Sequence, residues 1–316
     1  MLLVVSWLTF WLLGAAGGDA LTALQAEPHV SAQTLARMRA VYGLDQPLAA
    51  RYLRWLADAA RGRFGESFYY QVPVAQLLWP RFWRTLALTA AAFSLAWALA
   101  LTLGALAARR VGGWAWRFSE VVILCSASIP PLVIALAALM LAARTGLFRV
   151  GVASAALVDD LTPGRLLPPA IVLALPFVAG FLAQTREGLR HALAEEFVRV
   201  ARAKGLRERT VIFRHALRAS LNPLLTVGGH ALGGLMSGAV IVEPVLGWSG
   251  LGQLTVAAVR QRDVPLLLAA VLVTATAVII GNLLADLLLR WNDPRLREAG
   301  ATTNAATTNT TAAPAA

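Results

Sequence analysis

Charge is scarce in this chain: 14% of its 316 residues are Asp, Glu, Lys or Arg, where a soluble domain carries about 25%. The deficit is gathered into long uncharged runs, so the solvent these runs suit is a bilayer rather than water. Cysteine is nearly absent as well. Cys125 stands alone, which excludes an intrachain disulfide and a multi-cysteine metal site. Lysine occurs once, as Lys204 between Ala203 and Gly205. The Gly-Lys-Ser/Thr of a phosphate-cradling loop therefore cannot be formed. The histidines, His29, His191, His215 and His230, have no metal-ligand spacing. Ionisable groups within the apolar runs are few: His230 lies well inside one, and Glu243 and Asp286 lie toward ends. Ion-coupled carriers usually hold such groups at mid-membrane. Set among glycines, His230 reads as a packed, hydrogen-bonded residue. An intramembrane protease needs a serine paired with a base, or paired aspartates. Ser126, Ser237 and His230 have no spacing that links them.

What is present is apolar: 58% hydrophobic residues and a mean hydropathy of +0.64. Crossing the hydrocarbon core takes roughly 20 apolar residues, and only a helix satisfies its own backbone there. Six segments qualify: Met1–Ala16, Leu86–Ala108, Val121–Ala143, Leu166–Ala183, Leu224–Val242 and Pro265–Leu289. The predicted class is all-α, a polytopic membrane protein with six transmembrane helices. No basic residue precedes the first segment. It reads as a span rather than a cleaved leader, since a leader also needs a basic start; a start codon placed too late explains the gap. An even number of spans puts both termini on one side. With the termini inside, the inner segments hold fifteen basic residues and the two short outer loops hold five, which favours cytoplasmic termini. The first outer segment holds eight arginines, but it exceeds the roughly 60 residues over which such a bias operates. The net charge of +11 then belongs to loops facing anionic lipid and partners rather than to nucleic-acid binding.

The expected organisation is a first transmembrane helix over 1–16, a periplasmic segment over 17–85, a five-helix core over 86–290, and a cytoplasmic tail over 291–316, disordered from about 299. Within 17–85, one short helix is predicted over Ser31–Tyr42, ending at Gly43. A second is opened by Asp45 as N-cap with Pro47 in its first turn. Leu48, Tyr52, Leu53, Leu56 and Ala60 give this second helix an apolar face. That face suits the membrane surface or a soluble partner. Pro130, Pro131 and Pro176 predict kinks in the third and fourth spans. Gly229/Gly233 and Gly234/Gly238 form small-xxx-small pairs in the fifth. They suit packing within the chain, or a dimer axis or translocation path.

The inner loop over 186–223 is the most informative stretch. It carries a net charge of +5 over 186–218, and reads EEFVRVARAKGLRERTVIFRHALRASLNPLL over 195–225. Val198, Ala201, Leu206, Val211, Ile212 and Leu217 lie among dense arginines. Gly205 falls where a helix would end, so a helix–turn–helix pair is expected. Tethering at both ends to spans argues against DNA binding. The apolar positions argue against a merely solvated loop. A docking element for a cytoplasmic partner accommodates both features.

This stretch resembles the "EAA" loop of binding-protein-dependent ABC importers, most closely the branch handling dipeptides, oligopeptides and nickel. GGDA, YGLDQPLAARYLRWL, GRFGESF, SIPPL, GAVIVEPVLGWSGLGQL and NDPRLR agree in order, so the resemblance covers about residues 10–298. It implies a type I ABC importer permease in the bacterial inner membrane, not an enzyme, without catalytic residue, metal or cofactor. The implied partners are a second permease, cytoplasmic ATPases that hydrolyse the ATP, and a periplasmic substrate-binding protein. Peptides are the leading substrate. Arg199, Ala201, Arg202, Ala203, Lys204, Gly205 and Leu206 match the loop's ATPase-coupling positions. There small Ala201 and Ala203 would permit close seating, Gly205 the turn, and the basic residues contact with an acidic surface.

Overall fold

The structure, a computed structural model, describes residues 2–15, 46–146 and 162–292. The expected helix over Ser31–Tyr42, the Asp45 cap, the GGDA stretch and the tail after residue 292 lie outside the described residues. The described chain is helical, with one isolated antiparallel bridge between Glu66 and Pro73. In order, the helices are α1 (Leu2–Ala15), α2 (Leu48–Ala60), α3 (Val74–Ala108), α4 (Trp114–Ser128), α5 (Pro131–Thr145), α6 (Pro163–Ala194) and α7 (Glu196–Ala203). After these, α8 joins Glu208–Thr210, a π-helical turn Val211–Ala216 and Leu217–Ala219; then come α9 (Leu221–Leu246), α10 (Leu251–Arg260) and α11 (Val264–Asn292).

Four of these, α3, α6, α9 and α11, are long and apolar enough to cross a membrane; the α4–α5 pair, bent by 101°, counts as a fifth only if the two helices form one broken span rather than a re-entrant loop. The sixth expected span rests on α1. Its 14 described residues reach about 21 Å at 1.5 Å per residue. The third expected span is not the continuous helix Val121–Ala143. Ile129 precedes a proline and is extended (φ −93, ψ 121), because a following proline ring disfavours the α region. Pro131 then begins the next helix, where its missing N–H costs nothing. By contrast α6 runs through Pro176 unbroken.

The chain divides into two compact units. The first comprises Met1–Ala92, Pro131–Leu173 and Met236–Val278. In its core, Val74 and Leu78 of α3 pack with Phe64, with Leu251 and Leu254 of α10, and with Leu266 of α11. On α2, Tyr52 is buried against Phe10 and Leu268, and its hydroxyl lies 2.8 Å from that of Ser6. Pro47 stands just before α2 rather than in its first turn. The inward face of α2 is Tyr52, Trp55, Leu56 and Ala59; Leu53 and Ala60, expected on it, are exposed. Buried Asp263 accepts the Ser67 hydroxyl at 2.5 Å and the Tyr69 N–H at 3.2 Å. It also accepts the Leu266 N–H at 3.3 Å, so it caps α11 and ties down the 66–73 turn.

The second unit comprises Phe93–Pro130, Ala174–Leu235 and Ile279–Ala316. Phe93, Trp97 and Phe181 stack within 5.7 Å of one another. The Arg186 guanidinium lies 4.0 Å from the Trp116 ring centre and donates to the Ser119 hydroxyl at 3.0 Å, joining α6 to α4. On α11, Leu283, Leu284, Leu287 and Leu288 are exposed, as a lipid- or partner-facing helix requires.

Candidate functional site

The arginine-rich loop after α6 folds as the expected helix pair. Helix α7 ends in a turn where the Leu206 N–H reaches the Ala201 carbonyl (3.3 Å) and the Gly205 N–H reaches that of Arg202 (2.9 Å). This is the double closure of a Schellman end. It needs a left-handed residue, and Gly205 has φ +76. Arg202 then spans the turn to Glu208 with two hydrogen bonds, at 2.7 and 3.2 Å. That bond holds the Glu208 carboxyl below its usual range and raises the Arg202 guanidinium.

The hairpin's inward face is apolar. Val198, Ala201 and Val211 form one buried cluster with Leu193. Ile212 and Ala216 pack on Ala105 and Ala108 of α3 and on Leu189 and Ala192 of α6. The π-helical turn suits this seating, since residues five apart come into register and both Val211 and Ala216 are buried. Thus Ala201 spends its small size on packing inside the hairpin rather than on an outer surface. Arg199, Arg202, Ala203, Lys204, Gly205 and Leu206 are exposed. The sequence reading named Leu206 but missed the other outward apolar positions, Phe197, Val200 and Phe213. Phe197, Val200, Leu206 and Phe213 are exposed, with Val200 at 53% and Phe213 at 52%. Four apolar side chains are thus left exposed beside the paired Arg199 and Arg202. A helical projection would have found Phe197 and Val200, three apart and about 100° round the helix from Val198 and Ala201. No local pattern anticipates the π turn that directs Phe213 outward.

A second feature went unrecognised. Glu243 is 0% exposed in the stretch GAVIVEPVLGWSGLGQL. Its carboxylate accepts the Thr85 hydroxyl at 2.5 Å and the Gln253 N–H at 3.1 Å. The Thr85 oxygen in turn accepts the Leu251 N–H at 2.7 Å. The carboxylate and the hydroxyl therefore cap α10 together. A Cβ at Gly250 would overlap the Glu243 carboxylate, so the glycine leaves room for the acid in this position. Gly252 is required because a Cβ would come within 2.6 Å of the Val240 backbone. A lone acid in an apolar run is the signal that could have found this.

The α9 glycines serve packing within the chain at four positions, the first being Gly228, where a Cβ would fall 2.6 Å from the Trp97 ring of α3. A Cβ on Gly229 would fall 2.6 Å from that of Ala285 on α11. On Gly234 and Gly238 it would fall 2.7 Å from Phe177 and 3.0 Å from Leu173, both on α6. Gly233 is half-buried. His230 is exposed, with Nδ1 2.9 Å from the Thr226 carbonyl.

The fold is similar to that in the inward-facing structure of the MetNI methionine ABC transporter, with a TM-score of 0.57 at 18% identity, covering 69% of this chain and 97% of that one. Residues 100–298 match the family described as binding-protein-dependent transport system inner membrane component. The chain is 33% identical over 304 residues to the oligopeptide transport system permease protein AppB of Bacillus subtilis (94% of this chain, 95% of the relative). It is 31% identical over 318 residues to the dipeptide transport system permease protein DppB of Escherichia coli K12 (93% and 94%). The chain belongs to the binding-protein-dependent transport system inner membrane component family: it is a transport subunit rather than an enzyme.

Proposed function

We propose that this chain, paired with a second permease, forms the pathway of an ATP-driven importer of di- or oligopeptides, and that its α7–α8 hairpin docks on a cytoplasmic ATPase. The observation that carries this is the hairpin. It is a turn closed around Gly205, clasped by Arg202 and Glu208, and seated on α3 and α6 by Ile212 and Ala216. Its exposed side presents Phe197, Val200, Leu206 and Phe213 among arginines. Such a unit can be pushed as one piece. The fifteen-to-five basic asymmetry supports placing the hairpin and both termini in the cytoplasm. The substrate class is supported by relatives named for oligopeptide and dipeptide transport. A binding protein on the outer side would deliver the peptide.

In this mechanism ATP binds more tightly to the closed ATPase dimer than to the open one. That differential affinity is what shifts the permease between its inward- and outward-open states. The hairpin transmits the movement to α3 and α6. The test is Gly205→Leu. Nothing lies within 4 Å of a Cβ at Gly205, so the substitution acts through the left-handed backbone and the altered docking face. Membrane insertion should be unchanged and capture of the ATPase lost. Normal capture by the variant would refute the docking role.

A further inference from the structure

In the first unit a cleft of about 420 Å³ lies beside the Glu243 cap. Arg81 of α3 and Arg260 at the end of α10 both line it. Among the described residues neither guanidinium has a carboxylate within ion-pair distance. Glu243, the residue before Pro244 of the cleft wall, is fully buried and already accepts Thr85 and Gln253. The cleft is therefore cationic: Glu243 lies within electrostatic reach of Arg81 but forms no ion pair with it, and two guanidiniums share the cleft. Guanidinium forks match a carboxylate geometrically. Tyr70, Gln253 and Gln261 add a hydroxyl and two carboxamides, groups that pair with a peptide bond. Pro244, Val256 and Ala257 supply an apolar wall.

The volume lies in the range of small-ligand sites, roughly 300–1,000 Å³, and is more than one acidic side chain of a docked protein would fill. Charge, amide groups and apolar wall together describe a ligand with a carboxylate, a peptide bond and a short side chain. We propose that this cleft is a subsite for the C-terminal end of a short peptide, its carboxylate held by Arg81 and Arg260. The proposal rests on the peptide-import reading above and gives it a place on the permease itself. The Glu243 cap builds the site, since it fixes the end of α10 that carries Gln253 and is followed by Pro244 in α9.

The test is equilibrium binding of alanyl-alanine and of alanyl-alanine amide to the full-length chain, with its permease partner, in nanodiscs of zwitterionic lipid. Saturable binding of the acid is expected, with the amide about tenfold weaker, as loss of one charge-assisted contact implies. Arg81→Gln and Arg260→Gln should each bring the acid down toward the amide and leave the amide unchanged. Arg81→Lys should keep part of the preference. Should the glutamine variants fail to insert, Val256→Phe fills the cleft without touching charge, and should weaken acid and amide alike. Equal affinities for acid and amide, or a preference that survives both glutamine variants, overturns the proposal. So does impaired docking of the binding protein with dipeptide binding intact, which would give the arginines to a protein carboxylate. Peptide uptake by the assembled transporter in proteoliposomes separates the two readings. Uptake without saturable binding to the permease sinks the cleft alone; absence of any ATP-dependent peptide uptake sinks the import reading.

Discussion

Two turns in this protein share one backbone device and put it to opposite uses. At Gly205 the Leu206 N–H closes back on Ala201 at 3.3 Å; at Gly247 the Trp248 N–H closes back on Glu243 at 2.9 Å. Both glycines are left-handed, with φ of +76 and +68. After Gly205 the chain leaves its charges and several apolar side chains outside. After Gly247 it folds down so that a buried carboxylate receives the next helix. The difference teaches that the motif sets only the path of the chain. The residues beyond the glycine decide whether the turn is a surface to be grasped or a joint to be kept rigid.

The largest effect is expected at the buried turn. Glu243→Ala orphans the Thr85 hydroxyl and the Gln253 N–H, each worth about 1–3 kcal/mol when left unpaired in the interior. The unfolding midpoint in detergent should fall markedly, and an unchanged midpoint would show that the cap is not needed. Gly205→Leu comes next. Placing a side chain in the left-handed region costs about 1–2 kcal/mol, too little to prevent insertion but enough to distort the turn, and it should break ATPase capture. Phe213→Ser combined with Val200→Ser alters exposed positions only, so stability should move within about 0.5 kcal/mol while ATPase affinity drops. If affinity holds, the apolar face is not the docking surface and the comparison loses its functional half.

The smallest effect is expected from the Arg202–Glu208 clasp. The pair is exposed, so removing it by Glu208→Gln should cost about 0.2–1 kcal/mol, and less in high salt. The hydrogen bond from Arg202 lowers the Glu208 carboxyl from 4.5. Its contribution is thus complete above that value and is lost as pH falls through the lowered one. Hydrogen exchange of the 201–208 amides, corrected for intrinsic rates, should report a looser turn as the pH falls below 4.5, and Glu208→Gln should remove that dependence.

The helices were legible in the sequence because a bilayer imposes a length and an apolarity that no local accident reproduces. The hairpin was legible because arginines, periodic apolar positions and Gly205 coincide. The break at Ile129–Pro130 was readable as a kink but not as the end of one helix and the start of another. Proline steric rules give the probability of a break, while the surrounding packing sets its size. The inward role of Ala201 and the outward one of Phe213 were hidden, because which side of a short helix faces the protein depends on what it lands against.

Composition and periodicity alone determined that this chain is a helical membrane protein without a Gly-Lys-Ser/Thr phosphate loop, since those properties follow from residue type and spacing. Tertiary structure decided what Glu243 does. Thr85 and Gln253, the partners that make its burial tolerable, are 158 and 10 residues away. Satisfying a buried charge depends on what the fold brings near, and sequence order does not contain that distance.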